Sequence, residues 1–123
     1  MEQEILRYFL PEGLLDFFTI TKVSETIMEP SKLKILQIDL EEKNTIPAGY
    51  DSKQYESKGF YPAKLIKDFP VRGKVVCLSI QRRRWRHKVN KSEIIHNDYS
   101  LFAKSGKLTQ ELSDFLKYTD RDA

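Results

Sequence analysis

The chain has 123 residues, 40% hydrophobic and 32% charged. That balance suits one soluble domain with a single core and does not force disorder, and the length is too short for two well-packed cores. A lone Cys77 excludes an internal disulfide framework and a multi-cysteine zinc site, no apolar run is long enough to span a membrane, and nothing after Met1 reads as a secretory leader, so the expected setting is cytoplasmic. The net charge of +3 conceals an asymmetry: residues 1–57 carry 11 acidic and 6 basic side chains, residues 58–123 carry 7 acidic and 15 basic.

In chain order, "EQEILRYFL" places Ile5, Leu6, Phe9 and Leu10 at helical spacing and predicts a short amphipathic helix interrupted at Pro11. "PEGLLDFF" adds a further helical turn with Pro11 at its first position. "FTITKVSET" is β-branched and predicts a first strand, and "MEPSK" a turn. "LKILQIDLEEK" alternates Leu36, Ile38 and Leu40 against Gln37, Asp39 and Glu41, a half-buried strand that pairs with the first as a hairpin. The polar stretch 44–59 reads as a loop with room for a short helical turn. A third strand is expected from about Tyr61 to Phe69, closed by the Pro70–Gly73 turn.

The fourth strand, "VVCLSIQRRRWRHKV" (75–89), begins as an ordinary half-buried strand, with Cys77 expected as a small buried hydrophobe. It ends in Arg82, Arg83, Arg84, Trp85, Arg86, His87 and Lys88, and the only acid between Gly59 and Lys91 is Asp68. Strand alternation puts an arginine on each face beyond Ile80, where neither face then belongs to a core. The run is therefore expected to project as a basic β-ribbon with a fifth strand, "IIHNDYSLFA". "LTQELSDFLKYT" closes the chain as a helix capped by Thr109, with Leu108, Leu112, Phe115 and Leu116 inward. The fold class so read is α+β: a single domain over 1–123, with an antiparallel sheet of about five strands and a helix at each end.

A ribbon of this kind fits a DNA major groove, and arginine suits bidentate contacts to phosphate or guanine. The nucleic-acid-binding candidates are Arg72, Lys74, Arg82, Arg83, Arg84, Trp85, Arg86, Lys88 and Lys91. Trp85 has three open roles: stacking on a base, packing on the ribbon, or holding an arginine by a cation–π contact. The alternative to a binding surface is a solvated charged edge that discourages aggregation. His87, His96 and Asp98 match no established metal signature, and no nucleophile triad, P-loop or dinucleotide loop is present, so neither metal, cofactor nor enzymatic activity is expected.

The segments "FLPEGLLDFF" (9–18), "SKGFYP" (57–62), "DFPVRGK" (68–74), "RRRWR" (82–86) and "KLTQELSDFLK" (107–117) occur in an order that resembles the N-terminal region of bacterial insertion-sequence transposases. The second half is similar to a wider transposase group in which this strand leads into a zinc ribbon; here "WRHKVNKSEIIHND" lacks the cysteines, so a plain hairpin without zinc is expected. The resemblance implies a nucleoid-associated DNA-binding domain that holds terminal inverted repeats of double-stranded DNA for a separate catalytic transposase protein or domain. The rival reading is a module that docks the catalytic subunit without touching DNA.

Overall fold

The computed structural model describes residues 10–71, 73–106 and 108–117. The expected opening helix therefore lies outside the described residues, apart from the buried Leu10. The described chain is α+β, with ten elements: α1 (Leu14–Phe17), β1 (Phe18–Met28), β2 (Leu33–Glu42), β3 (Tyr55–Phe60), β4 (Lys64–Val71), β5 (Lys74–Gln81), β6 (Arg83–His87), β7 (Ile94–Ile95), α2 (Ser100–Ser105) and α3 (Gln110–Lys117). None of these helices is long and apolar enough to cross a membrane.

The strands form a four-stranded sheet ordered β1-β2-β5-β4 and a three-stranded sheet ordered β3-β6-β7. β1 and β2 make the expected antiparallel hairpin, from Phe18 opposite Glu42 to Met28 opposite Leu33. β4 and β5 are likewise antiparallel neighbours, closed where Val71 faces Lys74 and Gly73 takes a φ of 77°. The sheet is not wholly antiparallel, however: β5 lies parallel to β2, with Leu36 opposite Val76 and Leu40 opposite Ile80. A parallel neighbour needs a long crossover, and residues 43–73 supply it by building β3 and β4 on the way.

One face of the larger sheet carries the core. Phe18, Ile20, Ile38, Leu40, Ile66, Val76, Leu78 and Ile80 pack against Leu14, Tyr99, Ala103, Leu112, Phe115 and Leu116 from the helices. Each fully enclosed aliphatic side chain here contributes about 1.5–3 kcal/mol of transfer free energy. α3 begins as its sequence predicts, with the Leu112 N–H donating to Thr109 Oγ1 at 3.3 Å. Thr109 Oγ1 in turn donates to the Lys67 carbonyl at 3.4 Å, which ties the helix start to the outer strand β4. Cys77 faces the opposite side of the sheet and is half-buried, so it is not the core residue expected.

Three sequence expectations are corrected. The stretch 44–59 contains a strand, β3, and no helix. The fifth strand reduces to Ile94–Ile95, because Asp98 Oδ1 accepts from the Ser100 N–H at 2.9 Å and its hydroxyl at 2.6 Å, turning the chain into α2. The long fourth strand is two strands in two sheets, divided at Arg82. No basic ribbon projects past the body: β6 is flanked on both edges, by β3 and β7. A second apolar cluster, Tyr55, Trp85, Ile95 and the adjoining Ile46, assembled from segments distant in the chain, gives β6 a core of its own.

Candidate nucleic-acid interface

The candidate residues gather along β6, whose inner side rests on buried polar groups. Glu42, at the end of β2, is 1% exposed and accepts from the Arg83 N–H at 2.9 Å, from Asn97 Nδ2 at 2.9 Å and from the Tyr99 hydroxyl. Burial and the facing Glu42 charge both push the Tyr99 hydroxyl well above the usual phenol range. Arg82 is also buried; it donates to the Asn97 carbonyl and lies 5.3 Å from the Tyr99 ring centre and 6.0 Å from that of Phe115. A buried cation placed among an accepting carbonyl and two ring faces serves the junction between the sheets and presents nothing to a ligand.

Trp85 is fully buried, and its Nε1 donates to Asn44 Oδ1 at 2.8 Å. Of its three open roles the structure selects packing, since an enclosed indole has no face left for a base. Around it, Tyr55 donates from its hydroxyl to Glu93, a bond that raises the phenol to about 12, and its ring meets His87 edge-on at 5.1 Å. His87 Nδ1 accepts from the N–H groups of Val89 and Asn90, folding the tip that carries Lys88 and Lys91.

The register of β3 decides how the remaining arginines are held. Gly59 sits at a bulge with a φ of 94°, and a Cβ there would meet no atom within 4 Å, so the demand for glycine is one of backbone conformation. The bulge delivers Phe60 opposite Arg83, and the Tyr61 N–H then donates to the Arg82 carbonyl at 2.8 Å. Arg83 lies 4.5 Å over the Phe60 ring and donates to the Glu42 carbonyl at 3.1 Å and to Ser57 Oγ at 2.8 Å. On the opposite face of β6, Arg86 pairs with Glu56 at 2.8 Å, and Lys91 reaches the same oxygen at 3.2 Å. Those cations hold the Glu56 carboxyl below its usual range, Arg86 first and Lys91 second. Arg84 shares that face and lies 5.2 Å over the Tyr61 ring.

Of the nine residues singled out from the sequence, Arg83, Arg84, Trp85 and Arg86 sit together on β6, with Lys88 and Lys91 at its tip. Lys74 does not join them. It starts β5, whose eight residues carry it roughly 25 Å from β6, and it pairs there with Glu25 at 2.6 Å. Arg72 lies outside the described residues. Sequence reasoning missed Phe60, Tyr61 and Glu56; the adjacent aromatics of "GFYP" were the visible signal, but only strand pairing matches them to adjacent arginines.

The chain matches no protein-family model, no curated protein and no solved structure.

A separate cleft of about 640 Å³ opens where α1, the loop after β2 and the start of α2 meet, with Phe17, Lys43, Ile46, Tyr99 and Phe102 among its walls. None of the nine candidate residues lines it. Among the described residues no His, Cys, Asp and Glu side chains gather into a metal-binding group.

Proposed function

We propose that this chain binds double-stranded DNA as the N-terminal part of a bacterial insertion-sequence transposase, holding an element end for a catalytic protein or domain. The observation that carries this reading is the composition of the smaller sheet and its tip: Lys58, Arg83, Arg84, Arg86, Lys88 and Lys91 stand against two acids, Glu56 and Glu93, and Glu93 is committed to Tyr55. The resemblance in "SKGFYP", "DFPVRGK" and "RRRWR" supports it, and Phe60 of the first segment stands opposite Arg83 of the last.

The reading differs from groove insertion. With Trp85 enclosed and Arg82 and Arg83 held internally, the cations left facing outward line a sheet face, and a face of this kind tracks a phosphate backbone. Charge neutralisation supplies the affinity, and the catalytic chemistry belongs to the partner. For about three to five phosphates, log K falls with log salt at a slope of roughly −3 to −4.5. The test is fluorescence anisotropy across a salt series, with a duplex carrying the terminal inverted repeat and a scrambled control. Preference for the repeat supports end recognition, binding without preference reduces the reading to general DNA affinity, and no binding at low salt overturns it.

A second reading, a module that docks the catalytic subunit through protein contacts alone, is favoured by Leu65 and Phe69, which stand 57% and 54% exposed on the coreless face of the larger sheet. Leu65→Lys with Phe69→Lys abolishes co-purification with that subunit under this reading and leaves DNA affinity unlowered.

A further inference from the structure

We infer that Arg84, held on the ring of Tyr61 and bordered by His96, is a preformed binding point for one backbone phosphate of a nucleic acid. This rests on the DNA reading above and deepens it, by separating one arginine from a run in which the others have internal tasks.

Arg84 differs from its neighbours in its partners. Arg83 donates to Glu42 and Ser57, and Arg86 is bound to Glu56. The Arg84 side chain has no hydrogen-bond or ion-pair partner among the described residues, and its Nε is buried without an acceptor. That Nε is enclosed and out of an outside ligand's reach. The terminal nitrogens are neither enclosed nor hydrogen-bonded among the described residues, so an anion arriving at them satisfies an otherwise unpaired, half-buried guanidinium. The Arg84 Cζ lies 5.2 Å over the Tyr61 ring centre, a cation–π contact that restricts the side chain before a ligand arrives. His96 meets the edge of the same Tyr61 ring at 6.2 Å, adding an imidazole to the border of the site.

Phosphate is the ligand chemistry that fits. A planar guanidinium matches two oxygens of one anion. Arg86 lies two residues along the same strand face, about 6.8 Å away by strand rise. It and Lys91 share the single carboxylate of Glu56, which leaves the row, with Lys88 at the tip, net positive. Anions repeated along a line meet such a row, and a nucleic-acid backbone is a line of that kind. Tyr61 and His96 also offer ring surface beside the cation, which suits a polymer that carries bases.

The experiment has two arms. In the first, inorganic phosphate is titrated into the intact protein while the arginine Nε–Hε signals are followed by NMR, with chloride matching ionic strength. The expected result is a saturable shift at Arg84 that exceeds those at Arg83 and Arg86; uniform shifts, or none at Arg84, overturn the inference. In the second, Arg84→Gln, Arg84→Lys and a distant control, Lys32→Gln, are titrated with a random-sequence duplex. Arg84→Gln reduces the magnitude of the salt slope by about 0.9 and weakens binding several-fold. Arg84→Lys restores the slope and only part of the affinity, and the control matches the parent. If the parent binds duplex and Arg84→Gln keeps its slope, the inference is overturned while the DNA reading stands. If the parent binds no duplex, the DNA reading falls, and the proposed nucleic-acid phosphate contact falls with it even where the phosphate arm shows a shift. The first arm needs no variant, so it decides whether Arg84 is an anion site even where Arg84→Gln fails to fold.

Discussion

The continuous run 75–87 feeds two sheets, and the two use it differently. In β5, alternate residues Val76, Leu78 and Ile80 are enclosed by helices, and the opposite face stays half-exposed. In β6, one aromatic residue, Trp85, does the packing, and the cations on either side are sorted by what their neighbours offer: Phe60 and Glu42 for Arg83, Glu56 for Arg86, a tyrosine ring for Arg84. The larger sheet is held by many interchangeable apolar contacts, the smaller one by few contacts that depend on partner identity. A dense basic run is therefore not in itself a ligand surface; the acids and rings placed across from it decide how much of its charge reaches solvent.

The sharpest way to break that division is Trp85→Ala. Emptying the centre of the small cluster is expected to cost about 3–5 kcal/mol. Hydrogen exchange should show β3, β6 and β7 losing protection first, while β2 and β5 retain theirs; uniform loss would mean the sheets are one cooperative unit. Next comes the junction. Glu42→Ala removes the acceptor of the Arg83 N–H and the Tyr99 hydroxyl and one of the two bonds of Asn97 Nδ2, which keeps the Thr45 carbonyl. The expected cost is about 3 kcal/mol by urea unfolding, and Glu42→Gln recovers part of it.

A smaller effect belongs to the larger sheet. Asp68 is 7% exposed, its Oδ1 lacks a partner among the described residues, and burial pushes its carboxyl above the usual range. Its folded form binds a proton more readily than the unfolded chain does, so its contribution to stability falls as pH rises from the ordinary value of 3.8 through the raised one. Asp68→Asn should therefore be more stable than the parent at pH 7, on the order of 1 kcal/mol, with the advantage fading below the ordinary value. Chemical denaturation at a series of pH values measures it. The smallest stability effect is expected of Glu56→Gln, which releases Arg86 and Lys91 from a solvent-facing pair. Its thermal midpoint should barely move, while duplex affinity rises and the salt slope steepens by about one; unchanged affinity would place this face outside the DNA contact.

Elements whose signals are local were legible in the sequence. The β1–β2 hairpin, the β4–β5 reversal and the Thr109-capped helix follow from alternation, turn residues and capping, each encoded within a few positions. α2 was misread as strand because the β-branched and aromatic residues of "IIHNDYSLFA" favour strand, whereas the two bonds from Ser100 to Asp98 start a helix inside it. Of the candidate site, the sequence supplied the cations but not their partners.

Composition, charge distribution and periodicity by themselves determined that this chain forms an α+β fold with a core-bearing sheet and concentrates its positive charge in the second half. Only the tertiary structure decided that the basic run breaks at Arg82, that Trp85 turns inward, and that Arg84 alone of the four clustered arginines lacks a hydrogen-bonding or ionic partner among the described residues. The reason is physical. A side chain's propensity depends on its own neighbourhood in sequence, but the fate of a charge depends on which acid, carbonyl or ring another strand brings opposite it. Here that is set by a one-residue bulge at Gly59, in a strand more than twenty positions away along the chain.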